Sequence, residues 1–307
     1  MIKELSREKY DLIHAETFYV MPHIPPTKIP VLLVEQTIEY QVYAHFVTSL
    51  PSFLFFLKPF LYFDVAKLKW WEKYYWKKAD RVVAVSESDK GKMTSLVKDL
   101  SVGVVPNGAG EDLMNVWQKR KPLKIPTVFF QANFSWLQNT EAAENLVKKI
   151  FPLIREEMPQ VKCWIVGQGA QKKVGHLAGK GVKVIDLKTS DIKGVIDVYR
   201  QATVFMAPLQ GPGGTRLKIL AAMAAGVPVV ATKVGIEGIR ARNGQEALVS
   251  NDWEEMAQMA VRLMKEKELY HRVAQAARKL IESNYSYKSV ARRLDDIYCE
   301  LIYAKKN

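Results

Sequence analysis

The sequence predicts an α/β protein built from two doubly wound, Rossmann-like parallel-sheet domains. Three observations lead there. Short, continuous apolar runs alternate with helix-periodic stretches along nearly the whole chain, the pattern of parallel strands covered on both faces by crossover helices. The 307 residues, 48% of them hydrophobic, suffice for two domains with a core in each. Finally, the polar, basic segment VWQKRKPLKIP follows the turn Pro106-Asn107-Gly108 and divides the chain.

Taken in order, strand-like runs fall at 11–15, 31–34, 81–85 and 102–105, and then at 127–131, 161–166, 182–185, 203–207, 227–231 and 247–249. Helical periodicity fills 65–79, 140–157, 193–201, 215–225, 252–265 and 268–283. The expected division is a first domain over 1–115, a linker over 116–126 and a second domain over 127–283. A last helix over 284–307, apolar at Val290, Leu294, Ile297 and Leu301, is expected to pack back on the first domain. That domain reads as incomplete. A doubly wound domain ordinarily begins with a strand feeding a Gly-rich turn, whereas this chain begins with a short helix and the strand DLIHA.

Cys163 and Cys299 show neither metal-ligand spacing nor a disulfide framework, so a reducing compartment is expected. The opening MIKELSREKYD has no apolar signal core. The longest apolar run, 50–63, is broken by Pro51, Lys58 and Pro59 and falls short of the roughly 20 residues a spanning helix needs. A cytoplasmic protein, peripheral at the inner face of the membrane, is the expectation. The net charge of +13 is uneven: residues 1–118 are balanced, and the whole excess lies in 119–307. Two readings stay open, a solvated basic surface and a field for a polyanion such as a nucleotide diphosphate. Nucleic acid is not expected, since no zinc-finger spacing or RNA-binding aromatic strand is present.

The segment GPGGTRLKILAAMAAGVPVVAT at 211–232 carries the most chemistry. Gly213 and Gly214 let the backbone approach a ligand, and a helix opening at Thr215 presents unpaired N–H groups with partial positive charge. Arg216 and Lys218 add two cations in the first turn. The set predicts a diphosphate site.

This segment resembles the donor-site motif of the GT-B glycosyltransferases of family 4. Their usual form carries two Glu eight positions apart, the second opening a Glu-Ala-Met-Ala-x-Gly-x-Pro-Val-Val run. Here those positions hold Gly213 and Ala221, while Ala222, Met223, Ala224, Gly226, Pro228, Val229 and Val230 match. Pro106-Asn107-Gly108 is similar to the family's turn before its linker, and FFQANFSWLQNTEAA resembles its first strand-loop-helix of the donor domain. The resemblance implies a GT-B architecture with an N-terminally truncated acceptor domain, whose first strands and Gly-rich acceptor loop have no counterpart here. It implies a hexosyltransferase that uses a UDP- or GDP-sugar, with retention, on a hydroxyl of a cell-envelope glycan or lipid-linked acceptor.

The resemblance also distributes roles. Many members hold the donor phosphates with a Gly-Arg pair and a nearby Lys in the first loop. This chain has Ala132-Asn133 and Gln138-Asn139 there, so the phosphate charge falls to Arg216 and Lys218. The loops after IVGQG and VIDLK place Gly167, Gly169, Asp186 and Leu187 near the nucleoside, although a tight turn explains the two glycines equally well. Ala221 stands where the family's Glu binds the ribose and can accept no hydrogen bond. In the first domain Glu16 falls where an acidic or His residue faces the transferred sugar, with His14 two residues before it on the same strand face. His14 as a catalytic imidazole and His14 as a satisfied core histidine both stay open. Glu35 and Glu39 are expected to line the same cleft. No metal or other cofactor is expected, because no Asp-x-Asp occurs and cations with a helix dipole can hold the diphosphate.

The stretch VAKLKWWEKYYWKKA places Lys69, Lys73 and Lys77 on one stripe beside Trp and Tyr, after PSFLFFLKPFLYF. Core aromatics under solvated lysines and an anionic membrane surface binding through 50–81 both fit it. A catalytically impaired remnant that binds a nucleotide-sugar remains the rival to an active transferase, on account of Ala221 and the missing segment.

Overall fold

The structure is a computed structural model that describes residues 2–5, 7–188, 190–212 and 215–306. Its contacts divide the chain into two units: unit 1 takes Met1–Asn107, Pro212–Thr215 and Lys288–Asn307, and unit 2 takes Gly108–Gly211 and Arg216–Tyr287. Helices of seven residues or more are labelled α1 to α10 below.

Unit 1 holds a parallel sheet of β1 (Ile13–Glu16), β2 (Val31–Glu35), β3 (Arg81–Ala84) and β4 (Val102–Val104), in sequential order. The crossovers carry α1 (Glu39–Thr48), α2 (Lys58–Lys78) and α3 (Glu87–Leu96), and Trp76 of α2 and Met93 of α3 pack on the same face of the sheet. The period-two alternation shows the result. Val31, Leu33, Val82 and Ala84 pack with Trp76 of α2 and Met93 of α3. Their neighbours Leu32, Val34 and Val83 face the other way and meet Ile297, Val290 and Leu294 of α10 (Tyr287–Lys306). The last helix thus covers the sheet face that the crossovers leave open. α3 starts where Ser86 caps it, its hydroxyl oxygen accepting from the Asp89 N–H at 3.0 Å.

Unit 2 holds six parallel strands: β5 (Thr127–Asn133), β6 (Lys162–Gln168), β7 (Val182–Asp186), β8 (Val204–Ala207), β9 (Val229–Ala231) and β10 (Leu248–Val249), in the order β10-β9-β8-β5-β6-β7. The chain enters at the centre, winds out to β7, and returns to pair β8 with the free side of β5. Strand order therefore reverses between β5 and β8, the topological switch point outside which open α/β sheets bind ligands. The helices are α4 (Leu137–Asn145), α5 (Phe151–Glu157), α6 (Ile192–Gln201), α7 (Leu217–Ala224), α8 (Trp253–Lys265) and α9 (Lys267–Asn284). Asp191 and Asp252 cap α6 and α8 through the N–H groups of Gly194 and Glu255.

Three expectations shift. The helix expected over 140–157 is two helices joined by a π turn at Leu146–Ile150. Pro152 lacks the N–H that an unbroken ladder requires at that point. The helix expected to open at Thr215 begins at Leu217, with Arg216 extended as its N-cap. The segment 116–126 is fastened to unit 2: Val116 is buried, and the Arg120 guanidinium donates to the carbonyls of Tyr199 (2.6 Å) and Ala202 (2.8 Å) and to the Tyr270 hydroxyl (2.6 Å). Trp117 packs so closely on Gly226 that a Cβ there would lie 1.7 Å from its ring, and Gly226 adopts φ +68. Among the described residues no helix is long and apolar enough to cross a membrane.

Candidate active site

In unit 2 the switch point is built by the helices that follow β5 and β8. Asn139 sits in the first turn of α4, its amide donating to the Asn133 carbonyl at 2.7 Å. Its side-chain oxygen accepts a hydrogen bond from Lys218 Nζ, in the first turn of α7. The Lys218 ammonium also lies 5.3 Å from the centroid of the Phe130 ring on β5. Burial and, secondarily, the charge of Arg216 bring its pKa down to about 7. The Tyr199 hydroxyl, at the end of a fully buried ring, donates to Gln131 Oε1 on β5 at 3.0 Å. A cavity of about 210 Å³ opens here, lined among others by Gly108, Gln131, Tyr199, Lys218, Ala221 and Tyr287. It offers one cation of adjustable charge, a side-chain amide and a phenol.

The expected diphosphate residues divide. Lys218 reaches the cavity. Arg216 is buried and spends one guanidinium N–H on the Gly211 carbonyl at 2.6 Å. Thr215 belongs to unit 1, where its buried hydroxyl donates to the Val85 carbonyl at 2.7 Å. That tether explains why α7 starts two residues late. Gly213 and Gly214 lie outside the described residues.

The four residues expected near a nucleoside gather at the carboxyl ends of β6 and β7. Gly167 pairs with Asp186 in register, and the Leu187 N–H donates to the Gly167 carbonyl at 3.1 Å. Gly167 has a steric reason to be glycine: at φ +141, a Cβ would fall 1.9 Å from the Ala132 carbonyl oxygen on β5. Gly169 is left-handed at φ +70 and opens the short helix Ala170–Val174. Asp186 is exposed, and its carboxylate accepts from the Gln171 N–H at 3.1 Å.

In unit 1, His14 and Glu16 share a face of β1. His14 Nδ1 is 2.5 Å from the Tyr298 hydroxyl of α10, and His14 Nε2 is 3.3 Å from Glu16 Oε1. The other Glu16 oxygen accepts from Gln36 Nε2 at 2.9 Å. Gln36 and Tyr298 carry no local sequence signal; Tyr298 meets His14 across 284 positions. Glu35, expected to line a cleft with His14 and Glu16, does not. It is 2% exposed on the Leu33 face of β2, and one of its oxygens accepts from Trp76 Nε1 at 3.0 Å. Burial, only partly offset by that hydrogen bond, raises its pKa to about 8. Glu72 is equally buried and accepts from the first two N–H groups of α1, at Glu39 (2.7 Å) and Tyr40 (3.1 Å), with its pKa raised by burial to about 7.

Two family models match the chain side by side: Glycosyltransferase Family 4 over residues 1–112 and Glycosyl transferases group 1 over residues 125–266. Among curated proteins, an uncharacterized 44.6 kDa protein in the cps region of Klebsiella pneumoniae is 26% identical over 169 residues. That alignment takes in 53% of this chain and 43% of the relative, less than half its length. Among solved structures, sucrose-phosphate synthase from Thermosynechococcus elongatus superposes with a TM-score of 0.74 at 16% identity, over 99% of this chain and 76% of the other. Anabaena HepE, solved in complex with UDP-glucose, gives 0.70 at 16% identity, over 95% and 79%. A glycosyltransferase from Rickettsia africae gives 0.67 at 16%, over 98% and 78%. The two parallel-sheet units are those of the GT-B fold, and the chain belongs to the group 1, family 4 glycosyltransferases.

Proposed function

We propose that this glycosyltransferase moves a hexose from a UDP- or GDP-sugar to a hydroxyl of a cell-envelope glycan or lipid-linked acceptor, with retention of configuration. The observation that carries the reading is Lys218 at the switch-point cavity of unit 2, a half-buried ammonium held between Asn139 and Phe130. An ammonium whose own charge is suppressed by burial gains most when a diphosphate arrives, because the ligand restores its proton. The first N–H groups of α7 and the Arg216 charge add to the same field. Anabaena HepE, solved with UDP-glucose, supports a nucleotide-sugar as the donor.

In this reading the bond between the anomeric carbon and the diphosphate oxygen breaks, and charge grows on the leaving oxygen near Lys218. The acceptor oxygen bonds to the anomeric carbon and its proton passes to a base; within unit 1, Glu16 and His14 are side chains able to take a proton. The Tyr298 contact at Nδ1 turns His14 Nε2 toward Glu16.

Ala221 favours a second reading, a nucleotide-sugar-binding remnant without turnover. It lines the same cavity and can accept no hydrogen bond from a ribose. Calorimetric titration of the donor combined with an assay of nucleotide release separates the two. Binding with release supports the transferase, binding alone supports the remnant, and no binding to UDP- or GDP-sugars removes both.

A further inference from the structure

Helix α2 turns an aromatic face outward. Its buried residues Val65, Glu72 and Trp76 fall on one side. On the opposite side, at three- and four-residue spacing, come Phe60, Phe63, Lys67, Trp70, Tyr74 and Lys78. Phe60 is 74% exposed and Phe63 68%, and the preceding 3-10 turn Ser52–Leu57 adds Phe53 at 74% and Phe55 at 70%. Four phenylalanines this exposed within eleven residues make a concentrated apolar patch rather than scattered surface residues.

The chemistry is sorted along the helix. Phenylalanines occupy its first turns and the turn before it. Trp70 and Tyr74 follow, stacked at 5.3 Å and 11°. Lys77 and Lys78 end it, both exposed, with the Lys78 ammonium 4.6 Å from the Tyr74 ring. At 1.5 Å per residue, Trp70 lies about 15 Å and Lys78 about 27 Å from Phe60. A bilayer has the same order along its normal: hydrocarbon, an interfacial belt where Trp and Tyr collect, and an anionic headgroup surface. We propose that the chain docks on an anionic bilayer through residues 52–78, with α2 oblique to the surface, its phenylalanine end deepest and Lys77 and Lys78 among the headgroups.

Charge selects this occupant over a second copy of the chain. The helix has one carboxylate on its outward face, Asp64, already 3.6 Å from Lys67; Glu72 points inward. A two-fold contact would bring lysines against lysines, whereas anionic lipid complements them.

The test is co-sedimentation of the full chain with phosphatidylcholine vesicles, with and without phosphatidylglycerol. The anionic vesicles are expected to bind at least about tenfold more tightly. Phe60→Ser with Phe63→Ser abolishes binding to both, and Lys77→Gln with Lys78→Gln removes the preference for phosphatidylglycerol. Unchanged donor-nucleotide affinity checks that the variants fold. A nitroxide carried on Phe60→Cys, in a Cys299→Ser background, is expected deeper in the bilayer than one on Lys77→Cys. Equal binding to neutral vesicles or equal label depths overturns the proposal. So does a dimer in solution that the serine variants dissociate while vesicle binding persists.

Discussion

Lys218 and Asn139 join the two helices that flank the switch point of unit 2, the ammonium donating to the amide oxygen across 79 positions of sequence. A neutral amide cannot cancel the charge it holds, so the pair is stable enough to position the lysine and leaves its positive field available. Lys218→Met keeps the stem that packs on Phe130 and removes that field. The expected loss of affinity for a nucleoside diphosphate is about tenfold to a hundredfold, with no loss of thermal stability. Titration calorimetry and a melting curve on the same protein check both halves.

The lowered pKa of Lys218 sets a pH window. In the free protein its ammonium is largely protonated below pH 7 and empties above it. Diphosphate affinity is therefore expected to fall between pH 7 and pH 9, with proton uptake on binding that grows over that range. Without ligand the sign reverses. The unfolded lysine stays protonated up to its ordinary value of 10.5, so it binds more protons than the folded one above pH 7, and this group makes stability rise with pH there. Lys218→Met should flatten both trends.

Glu35 predicts the opposite slope in unit 1. Its folded pKa of about 8 lies above the ordinary carboxyl value of 4.5, so the folded protein holds the extra proton. Stability from this group is present at pH 4.5 and below and is lost as pH rises through 8. Glu35→Gln keeps the acceptor for Trp76 Nε1 and cannot ionise. At pH 8 it should stabilise the protein by about 1–3 kcal/mol, and near pH 5 it should change little. Denaturant titrations at the two pH values measure the difference.

The elements were legible because parallel strands covered on both faces must be continuously apolar, and each of the ten apolar runs is a strand with ends moved by a residue or two. The boundary that moved furthest is the start of α2, at Lys58 where periodicity gave 65; two smaller changes answer to single residues, Pro152 inside the expected long helix and Thr215 tied to the Val85 carbonyl. The site was legible only where a residue type announces itself, as a cation after a Gly-rich loop does. Gln131, Asn139 and Tyr199 were not, since their roles rest on partners 68 and 79 positions away. Glu35 misled for the same reason: a carboxylate at a strand end reads as a cleft residue until Trp76, 41 positions on, is seen to bury it.

Gly167 separates a structural glycine from a ligand-contacting one. Its φ of +141 and the 1.9 Å approach to the Ala132 carbonyl leave no room for a methyl group. Gly167→Ala is expected to destabilise the protein by about 2 kcal/mol or more, with loss of donor binding following the loss of folded protein. Urea unfolding monitored alongside nucleotide titration checks this; weakened binding at full stability would assign the glycine to the ligand instead.

Ala221 offers a gain-of-function test. Ala221→Glu places a carboxylate at the cavity that Gln131 and Tyr199 line. If a ribose sits there, nucleotide-sugar affinity should rise about tenfold to a hundredfold. A nucleoside diphosphate without the 2′ and 3′ hydroxyls should show no such gain.

The proposed activity turns on release of nucleotide from a sugar donor held by Lys218. The direct measurement is nucleotide release from UDP-glucose and from a GDP-hexose, with wild-type protein and Lys218→Met compared at pH 7. Release by the wild type is expected from at least one donor, reduced tenfold or more, about 1.4 kcal/mol or greater, in the variant. Donor binding with no release, or release that Lys218→Met leaves unchanged, contradicts it.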